Sequence, residues 1–400
     1  MNGTQALIIV GNGPGEIAGW AIPIAREARR SADREGQRLE ISLCLPPCQF
    51  ASGQERSAAE SAAVFDHVLD PSTTLRLGLG LKGWTPAARP TLLHVGGDFW
   101  YTRRLSRRWK AKAFAFVERA HIARVHRAFA GIFVTSDRLR DRLQTYGVPP
   151  EKVEVTGDPR HDAVIREHID AQAPSGAAPL KRTARKITLL AGSRDSVFNA
   201  VFPFWVETGL ALRSRLPDAD LTIAVSPFVS PAAHDAAIVR HGSELTPSRI
   251  TVARGSAADV TGSDLVLTIP GTNTLELAIM RIPTIVVTPF SLAPRIPFEG
   301  IIEWITRVPF VGPGLRLFLA REYVKRQPHG VSLPNMRAGR RIMPEMVGQI
   351  TADQVADEAA RVVTDDAAMA SMSKALEAIP IEAGASNRIL RAMGLACNAE

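Results

Sequence analysis

Short apolar runs of strand length recur along the chain, each closed by glycine, proline or a polar residue and followed by helical spacing. ALIIV at 6–10 passes through GNGPGE into IPIAREARR, a helical pattern that ends near Gly36. LEISLCL, Ala63 to Val68, TLLHVGG, GIFVTSD and VEVTGDP read as further strands. Among them RLRDRLQTYG reads as a helix and Trp100 to Phe129 as one long helical segment. A second series runs through KITLLAGS, a helix at about 202–215, LTIAVSP, a helix near 233–240, RITVARG, DLVLTIPG, a helix at 274–280 and TIVVTPF. Apolar runs alternating with helices predict parallel sheets covered on both faces.

Residues 166–186 hold proline, glycine, alanine and charge without a sustained apolar period, and read as a linker. The predicted fold class is therefore α/β, with two Rossmann-like domains facing a cleft: 1–165, then 187–365, with closing helices at 366–400 that brace them. Such an architecture suits an enzyme closing on a substrate better than a simple binding module, although one fold hosts many functions.

Composition narrows the class. A chain of 400 residues, 46% hydrophobic, can bury two cores, which excludes a stapled mini-protein, a collagen and a disordered tail. The net charge of +8 permits an anionic partner without naming one. Cys44, Cys48 and Cys397 are an odd set whose C-x3-C spacing fits neither a zinc knuckle nor a redox C-x-x-C, so a reducing compartment is the default. The first apolar run reads as a strand rather than a signal peptide, and no apolar run reaches the roughly 18 residues a bilayer span needs. A cytosolic protein is expected.

Five segments carry candidate chemistry. In GNGPGE, Gly11, Gly13 and Gly15 come close to the dinucleotide pattern without matching it. They allow a tight strand-to-helix turn, and Glu16 either enters the ligand crevice or sits on the first helical turn. Asp98 follows the strand TLLHVGG, where it can serve as a general base or cap the next helix, and His94 inside that strand reads as a packed residue. Gly192, Ser193 and Arg194 follow KITLLA, where backbone N–H groups and a guanidinium can hold phosphate oxygens, or where the arginine is a surface charge after an ordinary turn. Gly271, Thr272, Asn273, Thr274 and Glu276 open a helix, with a reciprocal Asn273/Glu276 capping box as the direct structural explanation and nucleotide contact as the functional one. Further on, a loop entering a helix carries Asn335, Arg340, Arg341 and Glu345, in which Asn335 offers donors and acceptors for sugar or phosphate oxygens and the two arginines read equally as surface charge. His121 and His126 make no metal pair.

VGGDFW, LAGSR, the IPGTNTLELAIMRIPTIVV block and VSLPNMRAGRRIMPEM, in this order and at this spacing, resemble lipid-A-disaccharide synthase and its relatives, glycosyltransferases of the two-Rossmann-domain, GT-B type. The resemblance covers about residues 5–395 and is strongest at 187–288 and 331–347. It implies transfer of a sugar, N-acetylglucosamine or an acylated derivative, from a UDP-sugar to a lipid or glycolipid acceptor at the cytoplasmic membrane face. By resemblance Asp98 is the catalytic aspartate, Arg194 the diphosphate contact, Glu276 the ribose contact and Asn335 the donor-side asparagine. Two departures fall on the acceptor half. GNGPGE replaces a GEPSGD-like loop, with Gly13, Gly15 and Glu16 on the acceptor side, and Gly157-Asp158-Pro159 replaces a GHP motif.

The stretch from Phe99 to Arg127 sets nine basic residues against Glu118 alone, interleaved with Trp100, Tyr101, Trp109, Phe114 and Phe116. That mixture suits an anionic membrane surface or, equally, a solvated helical face, and no nucleic-acid reader motif accompanies it. A second candidate lipid contact runs from Pro289 to Arg326. No Asp-x-Asp pair or His/Asp/Glu cluster asks for a metal, so an inverting, metal-independent transfer with no cofactor is expected. The rival readings are a UDP-sugar epimerase of the same fold and a non-catalytic nucleotide- or lipid-binding protein.

Overall fold

The computed structural model describes residues 4–48, 51–172, 184–254, 260–292 and 312–395. The chain divides into two compact units: Met1–Ala163 with Glu382–Glu400, and Val164–Ile381.

The first unit holds a seven-stranded sheet in which every described pairing is parallel. Its strands are β1 (Gln5–Val10), β2 (Leu39–Cys44), β3 (His67–Leu69), β4 (Pro90–His94), β5 (Ala113–Val117), β6 (Gly131–Val134) and β7 (Val153–Val155), in the order β3-β2-β1-β4-β5-β6-β7. Continuous burial along β1 and β5 reflects helices on both faces, which is why these strands are apolar runs rather than alternating ones. The strand order reverses between β1 and β4, where Val10 lies beside both Cys44 and His94. Burial without a partner charge pushes the Cys44 thiol up to about 12, so it behaves as a small core residue.

The second unit repeats the plan. Its sheet contains β8 (Lys186–Leu190), β9 (Asp220–Val225), β10 (Ile250–Arg254), β11 (Leu265–Thr268), β12 (Thr284–Pro289) and β13 (Glu345–Gly348), all parallel, in the order β10-β9-β8-β11-β12-β13. Here the reversal falls between β8 and β11. The helix Asp195–Arg215 lays Phe198, Phe202 and Trp205 into the core, with Val355, Ala359 and Val363 of the helix Ala352–Val363 in the same cluster. Together the two units form an α/β fold of the GT-B type.

Several sequence expectations change. The helix expected over Trp100 to Phe129 is only Phe99–Trp109, because Lys110 adopts a left-handed conformation and AFAFV then enters the sheet as β5. The third strand, expected over Ala63 to Val68, pairs only at His67–Leu69. Residues 333–338 form a helix, and Glu345 opens β13 instead of following a loop into a helix. The expected linker begins inside the helix Pro159–Gln172, and residues 173–183 lie outside the described residues. Of the closing segment, the helix Asp366–Leu376 belongs to the second unit and the helix Ala385–Ala392 to the first, while Cys397 lies outside the described residues.

Candidate functional site

In open parallel sheets ligands bind beyond the carboxyl ends of the strands, where the strand order reverses. In the first unit that place receives the loops after β1 and β4, and both carry predicted site residues. Gly11–Glu16 follows β1. The backbone N–H of Asn12 donates to Glu16 Oε2 at 3.0 Å, and the N–H groups of Glu16 and Ile17 donate to Gly13 O at 3.0 and 2.9 Å. The Glu16 carboxylate lies against Gly96 in the loop after β4, so closely that a Cβ on Gly96 would fall 1.8 Å from Oε2. Glycine is the residue that fits there. Asn12 is buried, with Nδ2 donating to Pro46 O.

Asp98 is exposed two residues beyond Gly96 and caps the helix Phe99–Trp109, its Oδ1 accepting from Trp100 N–H at 2.7 Å. The capping geometry anticipated for this residue is present, and it fixes the carboxyl at the end of β4. His94 is buried and shares a 2.9 Å hydrogen bond with the Thr102 hydroxyl. Burial drives its pKa down to about 3, with the His121 charge adding to the effect, so it sits neutral behind the loop.

The sequence did not show what surrounds Gly157-Asp158-Pro159. Asp158 and Arg160 are 2% and 1% exposed and form a buried ion pair, Nη2 to Oδ2 at 2.9 Å, with Nε donating at 3.1 Å to both carboxyl oxygens. Arg160 Nη2 also pairs with Glu118, at the end of β5. Trp20 Nε1 donates to Asp158 Oδ1 at 3.2 Å, and the guanidinium stacks 5.0 Å from the Trp20 ring. Trp20 belongs to a π-helical turn, Ile17–Ala21, that continues directly from Glu16, a distortion frequent at functional sites. Arg at i+2 of an aspartate was the available signal, but only the fold brings Trp20 and Glu118 to it.

In the second unit the reversal brings together the loops after β8 and β11. Gly192 has φ of +86°, and a Cβ there would meet Val197 at 2.8 Å and Ile269 of the other loop at 3.8 Å. Ser193 and Arg194 follow, half-buried, with Arg194 as N-cap of the helix Asp195–Arg215. Asp195, which sequence reasoning passed over, accepts from Ser230 N–H at 2.7 Å and Ser230 Oγ–H at 2.6 Å, tying down the first turn of that helix. Gly271 and Thr272 are exposed, and Thr274 Oγ1 donates to Gly271 O at 2.7 Å.

The expected Asn273/Glu276 capping box is absent. The helix Asn273–Ile279 begins one residue earlier than that box requires, with Thr272 as N-cap, and Asn273 Nδ2 donates back to Thr268 Oγ1 at 2.7 Å. Glu276 is half-buried in the first turn.

Asn335 is also corrected. It is fully buried, its Oδ1 accepts from the N–H groups of Ile342 and Met343, and its Nδ2 donates to Met343 O and Glu345 Oε1, all at 2.7–2.9 Å. With both donors and both acceptor sites engaged it shapes the loop and has none left for a ligand. Glu345 completes this knot by accepting from Val331 and Ser332 N–H at 2.8 and 2.9 Å. Arg340 and Arg341 are exposed.

The fold and the two reversal points define a two-unit enzyme scaffold of the GT-B class. Similar solved structures include a UDP-N-acetylglucosamine 2-epimerase described as putative from Listeria monocytogenes (TM-score 0.59, 16% identity, 98% of this chain and 96% of that one). Another is the UDP-GlcNAc 2-epimerase from Neisseria meningitidis bound to UDP-GlcNAc (TM-score 0.59, 13% identity, 97% and 99%). At such identity the likeness speaks of fold. A family model described as lipid-A-disaccharide synthetase matches residues 152–292. The lipid-A-disaccharide synthase of Chromobacterium violaceum is 24% identical over 323 residues, 80% of this chain and 72% of that one, and that of Anaeromyxobacter dehalogenans 28% over 223 residues, 55% and 51%. The chain thus spans about half of the second relative. The chain is similar in sequence to lipid-A-disaccharide synthases, from which it diverges widely.

Proposed function

We propose that this protein is an inverting glycosyltransferase that moves a sugar, N-acetylglucosamine or an acylated derivative, from a UDP-sugar to a lipid-linked acceptor. One observation carries the reading: the residues that match the family motifs, Asp98, Gly192–Arg194 and Gly271–Glu276, all stand beyond the carboxyl ends of the strands flanking the reversal in their unit. In the reaction an acceptor hydroxyl oxygen attacks the anomeric carbon, its proton passes to Asp98, and the bond from that carbon to the diphosphate oxygen breaks. The diphosphate gathers negative charge as it leaves. Arg194 and the backbone N–H groups of the 192 and 271–274 loops stabilise it, with Glu276 on the ribose. In this reading, charge neutralisation by these groups leaves no charge for a metal ion to balance, and the transfer is metal-independent.

The acceptor is met at the inner face of the membrane. No helix among the described residues is long and apolar enough to cross a membrane. Leu75, Leu79 and Leu81 are exposed, and Arg104 joins their segment to the helix behind Asp98 by donating to Gly78 O at 2.9 Å while lying 5.8 Å over Trp100. Arg107, Lys110 and Lys112 are also exposed, each worth about 1 kcal/mol where it faces an anionic leaflet. Phe114 and Phe116 are not part of this surface; they are buried in β5. Of the segment 289–326, Trp304 and Phe310 lie outside the described residues, while Phe318 and Tyr323 on the helix Gly312–Lys325 are exposed.

The test is mass spectrometry of purified protein with a panel of UDP-sugars, with and without extracted membrane lipids. A lipid gaining one sugar unit supports the proposal. A donor isomer formed without lipid would replace it with an epimerase.

A further inference from the structure

We propose that Asp195 is a positioning residue for the diphosphate: it holds the helix behind the 192–194 loop from the side, through Ser230, and so leaves the first-turn N–H groups to the ligand. The inference rests on the glycosyltransferase reading and deepens its donor site. A helix start is ordinarily fixed by a Ser, Thr, Asp or Asn whose side chain takes up a first-turn N–H. Such a cap uses donors that a diphosphate would need. Here the N-cap is Arg194, a side chain with donors only, and no side-chain cap is made. Gly192, two residues earlier, adopts φ of +86° and, lacking a side chain, restrains the loop little.

Asp195 supplies the hold. Its Oδ1 accepts from Ser230 N–H at 2.7 Å and its Oδ2 from Ser230 Oγ–H at 2.6 Å, while Ser230 Oγ accepts in turn from Ala233 N–H at 3.2 Å. One carboxylate therefore ties together the starts of two helices, Asp195–Arg215 and Pro231–Leu245, beyond the adjacent strands β8 and β9. Ser230 is itself a fixed point. Phe228 and Val229 before it are buried, and Arg254, at the end of β10, donates to Val229 O at 2.7 Å. A carboxylate next to Arg194 would by charge alone repel a diphosphate. Its removal thus has opposite signs under two roles: tighter UDP binding if Asp195 acts only as a charge, weaker binding if it positions the loop.

The experiment uses the full chain and compares UDP, by calorimetry, with uridine, by ligand-observed NMR, in Asp195→Ala, Asp195→Asn and Ser230→Ala, with melting temperatures as the check on folding. UDP affinity is expected to fall about tenfold in Asp195→Ala while uridine affinity stays within about twofold, because only the diphosphate reads the loop. Asp195→Asn, which keeps one acceptor for Ser230, should recover part of the loss, and Ser230→Ala, which removes the hydroxyl alone, should cost about threefold. Unchanged or tighter UDP binding in folded Asp195→Ala, or an equal loss for uridine and UDP, would overturn the inference. Should Asp195→Ala fail to fold, Ser230→Ala decides by the same two outcomes. Wild-type protein that binds no UDP would overturn the donor-site reading and the inference with it, a result distinct from variants that bind as the wild type does.

Discussion

The two units share one strand order and place their Gly-containing loops at the same topological point, yet the chemistry of those points is opposite. In the first unit the N–H groups of Asn12, Glu16 and Ile17 are used within the loop, with the Glu16 carboxylate half-buried and that of Asp98 exposed. In the second unit the loops present Gly192, Ser193, Arg194 and the hydroxyl-bearing 271–274 segment. Topology sets where ligands go. Side chains set their sign, and under the proposed function an anionic nucleotide falls to the second unit and a proton-yielding acceptor to the first.

The contrast is broken most severely at Asp98. Asn caps a helix as well as Asp does, so Asp98→Asn retains the bond to Trp100 N–H while losing the proton acceptor. The turnover number should fall about 10²- to 10⁴-fold with little change in melting temperature. A variant keeping more than about a tenth of the rate would remove the general-base assignment.

Arg160 tests the first unit's framework. Removing one partner of a buried pair leaves an uncompensated charge, so Arg160→Met should cost about 3–5 kcal/mol in denaturant unfolding. Substituting Asp158→Leu in the same chain should recover much of that loss, since apolar replacement of both partners is often tolerated. A loss below about 1 kcal/mol would place the network among weak surface pairs.

Much of this arrangement was legible in the chain. ALIIV, KITLLAGS and DLVLTIPG are continuous apolar runs because their strands are covered on both faces, and the loops after them follow from the strand ends. AFAFV was hidden because the basic residues around it carry a helical composition, and the left-handed turn at Lys110 that separates helix from strand leaves no composition signal. Asn335 misled for a related reason. Its amide suits a ligand or a loop equally well, and only the fold shows Ile342, Met343 and Glu345 converging on it. The Asp158–Arg160–Glu118–Trp20 network joins residues up to 138 positions apart, beyond any local pattern.

A pH titration separates the buried base of the first unit from its exposed carboxylates. The folded pKa of His94 lies at about 3, below the ordinary 6.5, so the unfolded chain takes up the proton first as pH falls. Stability is complete above 6.5 and declines toward pH 3 by ~4 kcal/mol from this residue. In His94→Asn, urea midpoints measured across that window should lose this part of the slope; an unaltered slope would mean that the histidine is protonated in the native state.

In the second unit, Arg194→Ala should weaken UDP binding by about 10- to 100-fold, the worth of a hydrogen bond to a charged group, with Arg194→Lys recovering part of it. Calorimetry on the full chain reads this directly. Unchanged affinity would leave the backbone N–H groups as the whole diphosphate site.

The smallest expected effect is none. If Arg194 and the loop N–H groups neutralise the departing diphosphate, a divalent ion has no charge left to balance, and transfer should run at full rate in excess chelator. Activity lost with chelator and restored by Mg²⁺ would show that the second unit's positive end is incomplete without an ion. Repeating the chelator series with Arg194→Ala sharpens the point: a rate that becomes Mg²⁺-dependent only in the variant would show the guanidinium standing where other enzymes use a metal.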